Sequence, residues 1–214
     1  MTTLAYLPID IDVEWPDETL LLEWFQDHKL LDTDYWEYTQ NRHIWAMVSA
    51  CKQPKDWRRY DSDQWADRRK EGINEGIIFH PGFEDAFPSL ANCIKQLPFK
   101  QLTISGMLYQ LGPIPAHQDT HDPRDPIEPR RYTIYLTDPQ HNTFYFSKHK
   151  NGPKHFPKIN RPCFAFNNKA IWHGAIETTR PKIILTTAGI IDDKKHEELI
   201  KRSLEKYSNE AMYL

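Results

Sequence analysis

The chain changes its hydrophobic texture near residue 99. Before that point apolar residues recur at helical spacing. In "PDETLLLEWFQDHKLL" a proline and acids open the segment, and Leu21, Trp24, Phe25 and His28 fall on one helical stripe. "FEDAFPSLANCIKQLP" has the same character and stops at Pro98. Residues 35–82 between them carry many aromatic and basic side chains without a clean period, which reads as an irregular lid or flank. After Phe99 the texture becomes short β-branched and aromatic runs punctuated by Pro, Asn and Asp. The candidate strands are "KQLTISGMLYQL", "IPAHQD", "RRYTIYLTD", "NTFYFSK", "KHFPKI", "CFAFNN", "AIWHGAIE" and "PKIILTTAGII". No helices alternate with them, so a sandwich or jelly-roll barrel is expected rather than a parallel sheet. "DDKKHEELIKRSLEKY" returns to helix, with Leu199, Ile200, Leu204 and Tyr207 along one stripe. The pattern predicts a single α+β domain: a mostly helical flank over 1–98, a jelly-roll core over 99–191 and a C-terminal helix over 192–214.

Composition narrows the class of function. The 214 residues suffice for one domain with a sizeable core. Lys and Arg number 27 against 30 Asp and Glu, a net charge of −3, so the overall balance indicates no nucleic-acid partner. No apolar run is long enough to span a membrane, and "MTTLAYLPIDIDVEW" has neither a basic start nor a cleavable apolar core. A cytoplasmic protein is expected. Cys51, Cys93 and Cys163 are odd in number and lack C-x-x-C spacing, which fits reduced, buried thiols. Gly-rich phosphate loops and the G-x-S-x-G elbow are both missing from the sequence, leaving the histidines to carry the chemistry.

The stretch "GPIPAHQDTHDPRD" follows an apolar strand. On extended backbone, residues i and i+2 point the same way, so His117 and Asp119 present an imidazole and a carboxylate to one region of space. His173 lies 56 residues later, in "AIWHGAIE". In a jelly roll such distant strands lie side by side, and His117, Asp119 and His173 would make the two-His, one-carboxylate facial triad that binds Fe(II). Two neutral imidazoles and one carboxylate leave the ion one net positive charge and open positions for an anionic chelator and O2. A chelating 2-oxo diacid also needs a cation for its distal carboxylate, for which an arginine fork is best suited. Arg180 is the first choice and Lys182 the second, with Arg131 and Thr133 on an earlier strand as further candidates.

"IPAHQD", "RRYTIYL" and "FNNKAIWHGAIETTRPKIIL" together resemble the Fe(II)- and 2-oxoglutarate-dependent oxygenases, particularly their aspartyl/asparaginyl β-hydroxylase-like branch. The resemblance covers about residues 86–190. It implies a double-stranded β-helix core, with 2-oxoglutarate as cosubstrate and His117, Asp119 and His173 as iron ligands. Arg131 matches an arginine that this branch carries on the strand after the first ligands, and Thr133 stands where the branch often has histidine. The basic residue in these folds usually follows the distal histidine by about ten positions; Arg180 follows by seven and Lys182 by nine. The implied reaction is oxidative decarboxylation of 2-oxoglutarate to succinate coupled to hydroxylation of a peptide side chain or small metabolite.

Two other functions share these residues. A cupin-like metalloenzyme would use the same barrel and ligands without 2-oxoglutarate. A non-catalytic metal-binding module would not aim arginines inward. His121 has the parity of His117 and Asp119, but "THDPRDPIEP" reads as a loop, which suits a substrate-side or solvated role. Trp172 points away from His173 and reads as packing, while Asn167 and Asn168 read as turn residues. The basic clusters "WRRY" and "DRRK" read as solvated helix faces, with an anion grip as the alternative.

Overall fold

The computed structural model describes residues 2–27, 43–47, 82–110, 112–119, 128–180 and 182–214, with the backbone alone for 25–26, 43–47, 101–109 and 188–190. The irregular flank, "WRRY", "DRRK", Cys51, His28 and His121 lie largely or wholly outside the described residues.

Among the described residues the fold is mixed, with two antiparallel sheets and few helices. A large sheet has seven strands: β1 (Leu4–Pro8), β2 (His43–Met47), β3 (Phe99–Gln110), β5 (Arg131–Tyr135), β7 (Cys163–Phe166), β9 (Lys182–Ile191) and β10 (Met212–Tyr213). Their spatial order is β10-β1-β7-β5-β9-β3-β2. A small sheet has the order β4-β8-β6, from β4 (Ile114–His117), β8 (Trp172–Ala175) and β6 (Phe144–Ser147). From β3 to β9 consecutive strands alternate between the two sheets, so the chain winds around the space between them.

That winding divides the core by strand parity. On β5, Tyr132 and Ile134 face a cluster shared with Leu21, Leu90, Ile94 and Leu199 of the helices. Tyr135 faces the other way, into an inter-sheet layer of Tyr6, Phe144, Phe146, Phe164 and Phe166. The rings of this layer meet at 6.1 Å for Phe144–Phe164 and 5.8 Å for Phe146–Phe166. Helix α1 (Glu18–Asp27) buries Leu21 and Trp24, the indole packing edge-on to Phe83 at 5.4 Å. Phe83 opens the one-turn helix α2 (Phe83–Ala86), and Pro88 starts α3 (Pro88–Gln96), where its missing N–H leaves no unmet donor. Helix α4 (Asp193–Tyr207) is capped by the Asp192 carboxylate, which accepts from the Lys195 amide at 3.2 Å. Its buried residues are His196, Leu199, Ser203 and Tyr207, with Ile200 and Leu204 at the margin of the stripe.

Three elements depart from the sequence reading. The flank over 1–98 is not mainly helical at its start: β1 lies inside the large sheet, between β10 and β7. β1 is covered on both faces, so it lacks the polar alternation that marks a half-exposed strand. β2 extends the same sheet at the far edge. "KHFPKI" forms only a single bridge, His155 to Phe146, because the prolines at 153 and 157 on either side cannot donate to a ladder. Cys93 and Cys163 are buried free thiols. Among the described residues no helix is long and apolar enough to cross a membrane.

Candidate metal centre

β4 and β8 pair antiparallel with His117 directly opposite His173. This register brings the two imidazole centroids to 4.3 Å. Each ring is fixed through its Nδ1, that of His117 at 2.9 Å from the Pro115 carbonyl and that of His173 at 3.3 Å from the Ile171 carbonyl. A carbonyl can only accept, so each Nδ1 carries a proton, which leaves Nε2 as the atom through which either neutral ring would ligate a metal. Both Nε2 atoms lie 3.6 Å from Asp119 Oδ1, and the three candidate ligand atoms are all within 4.8 Å of one another. His173 is buried, Asp119 partly so, and His117 is 46% exposed, so the cluster opens on one side.

Asn168 fixes the third member. Its Nδ2 donates to Asp119 Oδ2 at 2.8 Å, while the Asp119 amide donates to the Asn168 carbonyl at 2.9 Å. Oδ2 is therefore occupied and Oδ1 turns to the imidazoles. Burial alone would raise the Asp119 pKa, but His173, the Arg131 charge and the Asn168 amide outweigh it and hold the carboxyl well below its ordinary range. Burial, and then the neighbouring His173, push His117 below the ordinary imidazole value. At neutral pH the set is a carboxylate with an uncharged His117, the protonation that ligation of a divalent ion requires.

The cation candidates separate clearly. Arg180 is exposed in the turn before β9, where its amide and carbonyl are engaged by Thr178 Oγ1 at 3.2 and 2.6 Å. Lys182 is 2% exposed and its Nζ has no hydrogen-bond partner. The ammonium lies 5.6 Å from the Phe144 ring centroid and 5.9 Å from that of Tyr135. Burial lowers its pKa to about 7. Phe144 in turn packs edge-on to His173 at 6.2 Å, so one ring adjoins both the cation and the imidazole. Arg131 is half-buried and close enough to depress both Asp119 and His117. Thr133 is buried between Phe164 and Thr186 on the neighbouring strands.

Further buried polar atoms around this layer lack a close hydrogen bond: Tyr6 Oη, Thr143 Oγ1, Gln110 Oε1 and Tyr135 Oη, the last lying near Thr137 and the Thr143 backbone. Gln110 stands opposite Lys182 in the β3–β9 register, and Tyr135 shares the inward face of β5 with Arg131 and Thr133. Buried polar atoms without partners cost about 1–3 kcal/mol each, so several unmet groups at one place indicate a polar ligand. Sequence reasoning missed Tyr135, Thr143, Gln110 and the clamp by Asn168. Parity from Arg131 through Thr133 pointed to Tyr135; nothing in the sequence pointed to Thr143, which lies before its strand.

No family model matches the chain. Among solved structures, a prolyl-4-hydroxylase from Pseudomonas putida is similar over 86% of this chain and 91% of its own, with 10% identity and a TM-score of 0.45.

Proposed function

We propose that the chain is an Fe(II)- and 2-oxoglutarate-dependent dioxygenase of the jelly-roll type that hydroxylates a peptide side chain or small metabolite. The observation that carries this reading is the convergence of His117, Asp119 and His173, two Nε2 atoms and one oriented carboxylate oxygen open on one side. The strand alternation from β3 to β9 supports a double-stranded β-helix. Iron bound to this set would supply the redox chemistry that couples decarboxylation of the 2-oxo acid to oxidation of a C–H bond.

The chain's own part is binding and orientation. Lys182, the one fully buried ammonium among the described residues, would receive the distal carboxylate, with the hydroxyls of Tyr135 and Thr143 as neighbouring donors. Phe144 and Phe166 pack against His173 and keep water from its inner side. The test is succinate formation from 2-oxoglutarate by the Fe(II)-loaded protein in air, with His173→Ala as the control. Succinate made by the wild type and not by the variant is expected. Metal binding without any 2-oxoglutarate turnover would transfer the site to the cupin-like class.

A further inference from the structure

The net charge of −3 hides an uneven distribution. Between Asp138 and Glu177 there is no acidic residue, while Lys148, Lys150, Lys154, Lys158, Arg161 and Lys169 are all basic. These six charges leave −9 for the rest of the chain. The first three lie exposed on the strap that follows β6, together with exposed His149 and His155. None of the three has a carboxylate partner among the described residues. Instead, two of them lie against aromatic rings: Lys150 Nζ is 5.8 Å from the Trp172 centroid and Lys154 Nζ is 4.7 Å from that of Tyr145. Tyr145 packs against Phe156 at 6.0 Å, and Phe156 remains 45% exposed. Trp172 and Tyr145 sit on the outer face of the small sheet, since His173 and Phe146 between them point inward. Ile176, of the same parity as Trp172, is 38% exposed. Ser147 pairs with Trp172, one residue from the row that holds Phe146 and His173, so this face lies across the small sheet from the candidate metal centre.

We infer that the outer face of the small sheet and its basic strap, built on Trp172, Phe156, Lys148, Lys150 and Lys154, bind single-stranded nucleic acid. Cations alone would suit any polyanion. The exposed ring of Phe156 and the partly exposed ring of Trp172 among these lysines favour a chain that alternates anionic phosphates with flat π-faces, because a base stacks on a ring while its phosphate meets a lysine. A carboxylate-rich peptide would satisfy the lysines and leave Phe156 facing water. The inference is of a binding surface and does not rest on the oxygenase reading.

The test uses metal-free full-length protein and fluorescence anisotropy of a labelled single-stranded oligonucleotide of about a dozen nucleotides, as RNA and as DNA, at low salt. Binding with a Kd of roughly 1–100 μM is expected for at least one of them. Lys150→Glu with Lys154→Glu should weaken it at least about tenfold and reduce the salt slope by about 1.4, for two lost phosphate contacts on a single strand. Phe156→Ala should weaken binding about fivefold or more with the salt slope unchanged, the mark of lost stacking. Lys194→Glu with Lys195→Glu, on the exposed side of α4, removes equal charge elsewhere and should leave affinity within about twofold. No binding overturns the inference, as does an equal loss in the α4 control. Tighter binding of polyglutamate or of phosphatidylserine vesicles than of either oligonucleotide also overturns it, in favour of an acidic protein or a membrane. Because no iron is present, a negative result leaves the oxygenase reading untouched, and oligonucleotide binding without succinate formation would do the reverse.

Discussion

Lys182 shows at the residue scale what burying an ammonium costs in stability. An ammonium with a pKa near 7 in the folded chain and about 10.4 in the unfolded one makes the unfolded state hold the extra proton between those values. Stability therefore rises with pH across that window. The cost is fully present below pH 7 and disappears above about pH 10.4. Lys182→Met keeps the volume and removes the ionisation, so it should stabilise the protein at pH 7.5 by roughly 4 kcal/mol and flatten the pH dependence. Urea denaturation of both proteins at several pH values measures this; a destabilised Met variant would mean that the ammonium has a partner the structure lacks. The same substitution should raise the apparent KM for 2-oxoglutarate about thirtyfold or more, while Arg180→Ala in its exposed turn should leave it within about twofold. In the wild type an anionic cosubstrate needs the protonated lysine, so its affinity should be greatest below pH 7 and fall by up to about tenfold per unit above it.

At the scale of elements, the candidate metal centre depends on how β4 lies along β8. Gly174 makes this possible: a Cβ there would come within 2.6 Å of the Ile114 carbonyl and 2.7 Å of Tyr145 Oη. The carbonyl belongs to backbone and cannot swing aside. Gly174→Ala should push β4 away from β8 and separate His117 from His173, weakening Mn(II) or Co(II) binding by about tenfold or more in a protein that still folds. Isothermal titration calorimetry reads the affinity and circular dichroism the fold. Asn168→Ala should loosen Asp119 without moving either strand, with a loss of about 10–100-fold in metal affinity. Sequence reading reached these elements unevenly. His117, Asp119 and His173 were legible because a period of two on extended backbone fixes which side chains converge. Arg180 was preferred over Lys182 on the chemistry of its fork, since parity puts both on one face and does not reveal which is beyond the end of the strand. β1 was hidden because burial on both faces erases alternation, and "KHFPKI" was overread because β-branched and aromatic composition outweighed its prolines.

At the scale of the whole molecule the chain ends close the large sheet: Thr3 and Leu214 exchange backbone hydrogen bonds at 2.7 and 3.0 Å. Helix α4 is tied to the segment after β1 by the Ser203 hydroxyl on the Asp10 amide and by Arg202 and Lys206 on the Asp10 carboxylate. The candidate site draws its ligands from β4, β8 and the loop between the sheets, so ligand occupancy should be read as global stability. A ligand at a hundred times its Kd stabilises the folded state by about 2.7 kcal/mol, which for a domain of this size is about 5–10 °C in melting temperature. Mn(II), used in place of oxidisable Fe(II), should raise the melting temperature of the wild type, and 2-oxoglutarate should add a second increment only when Mn(II) is present. Lys182→Met should keep the first increment and lose the second. His173→Ala should lose both, because without the metal the chelating end of the 2-oxo acid has nothing to hold. A second increment that persists in Lys182→Met would move the distal carboxylate to Arg131. An increment from 2-oxoglutarate without metal would place the acid outside the triad altogether, and the strand register that brings His117 opposite His173 would then serve a different ligand.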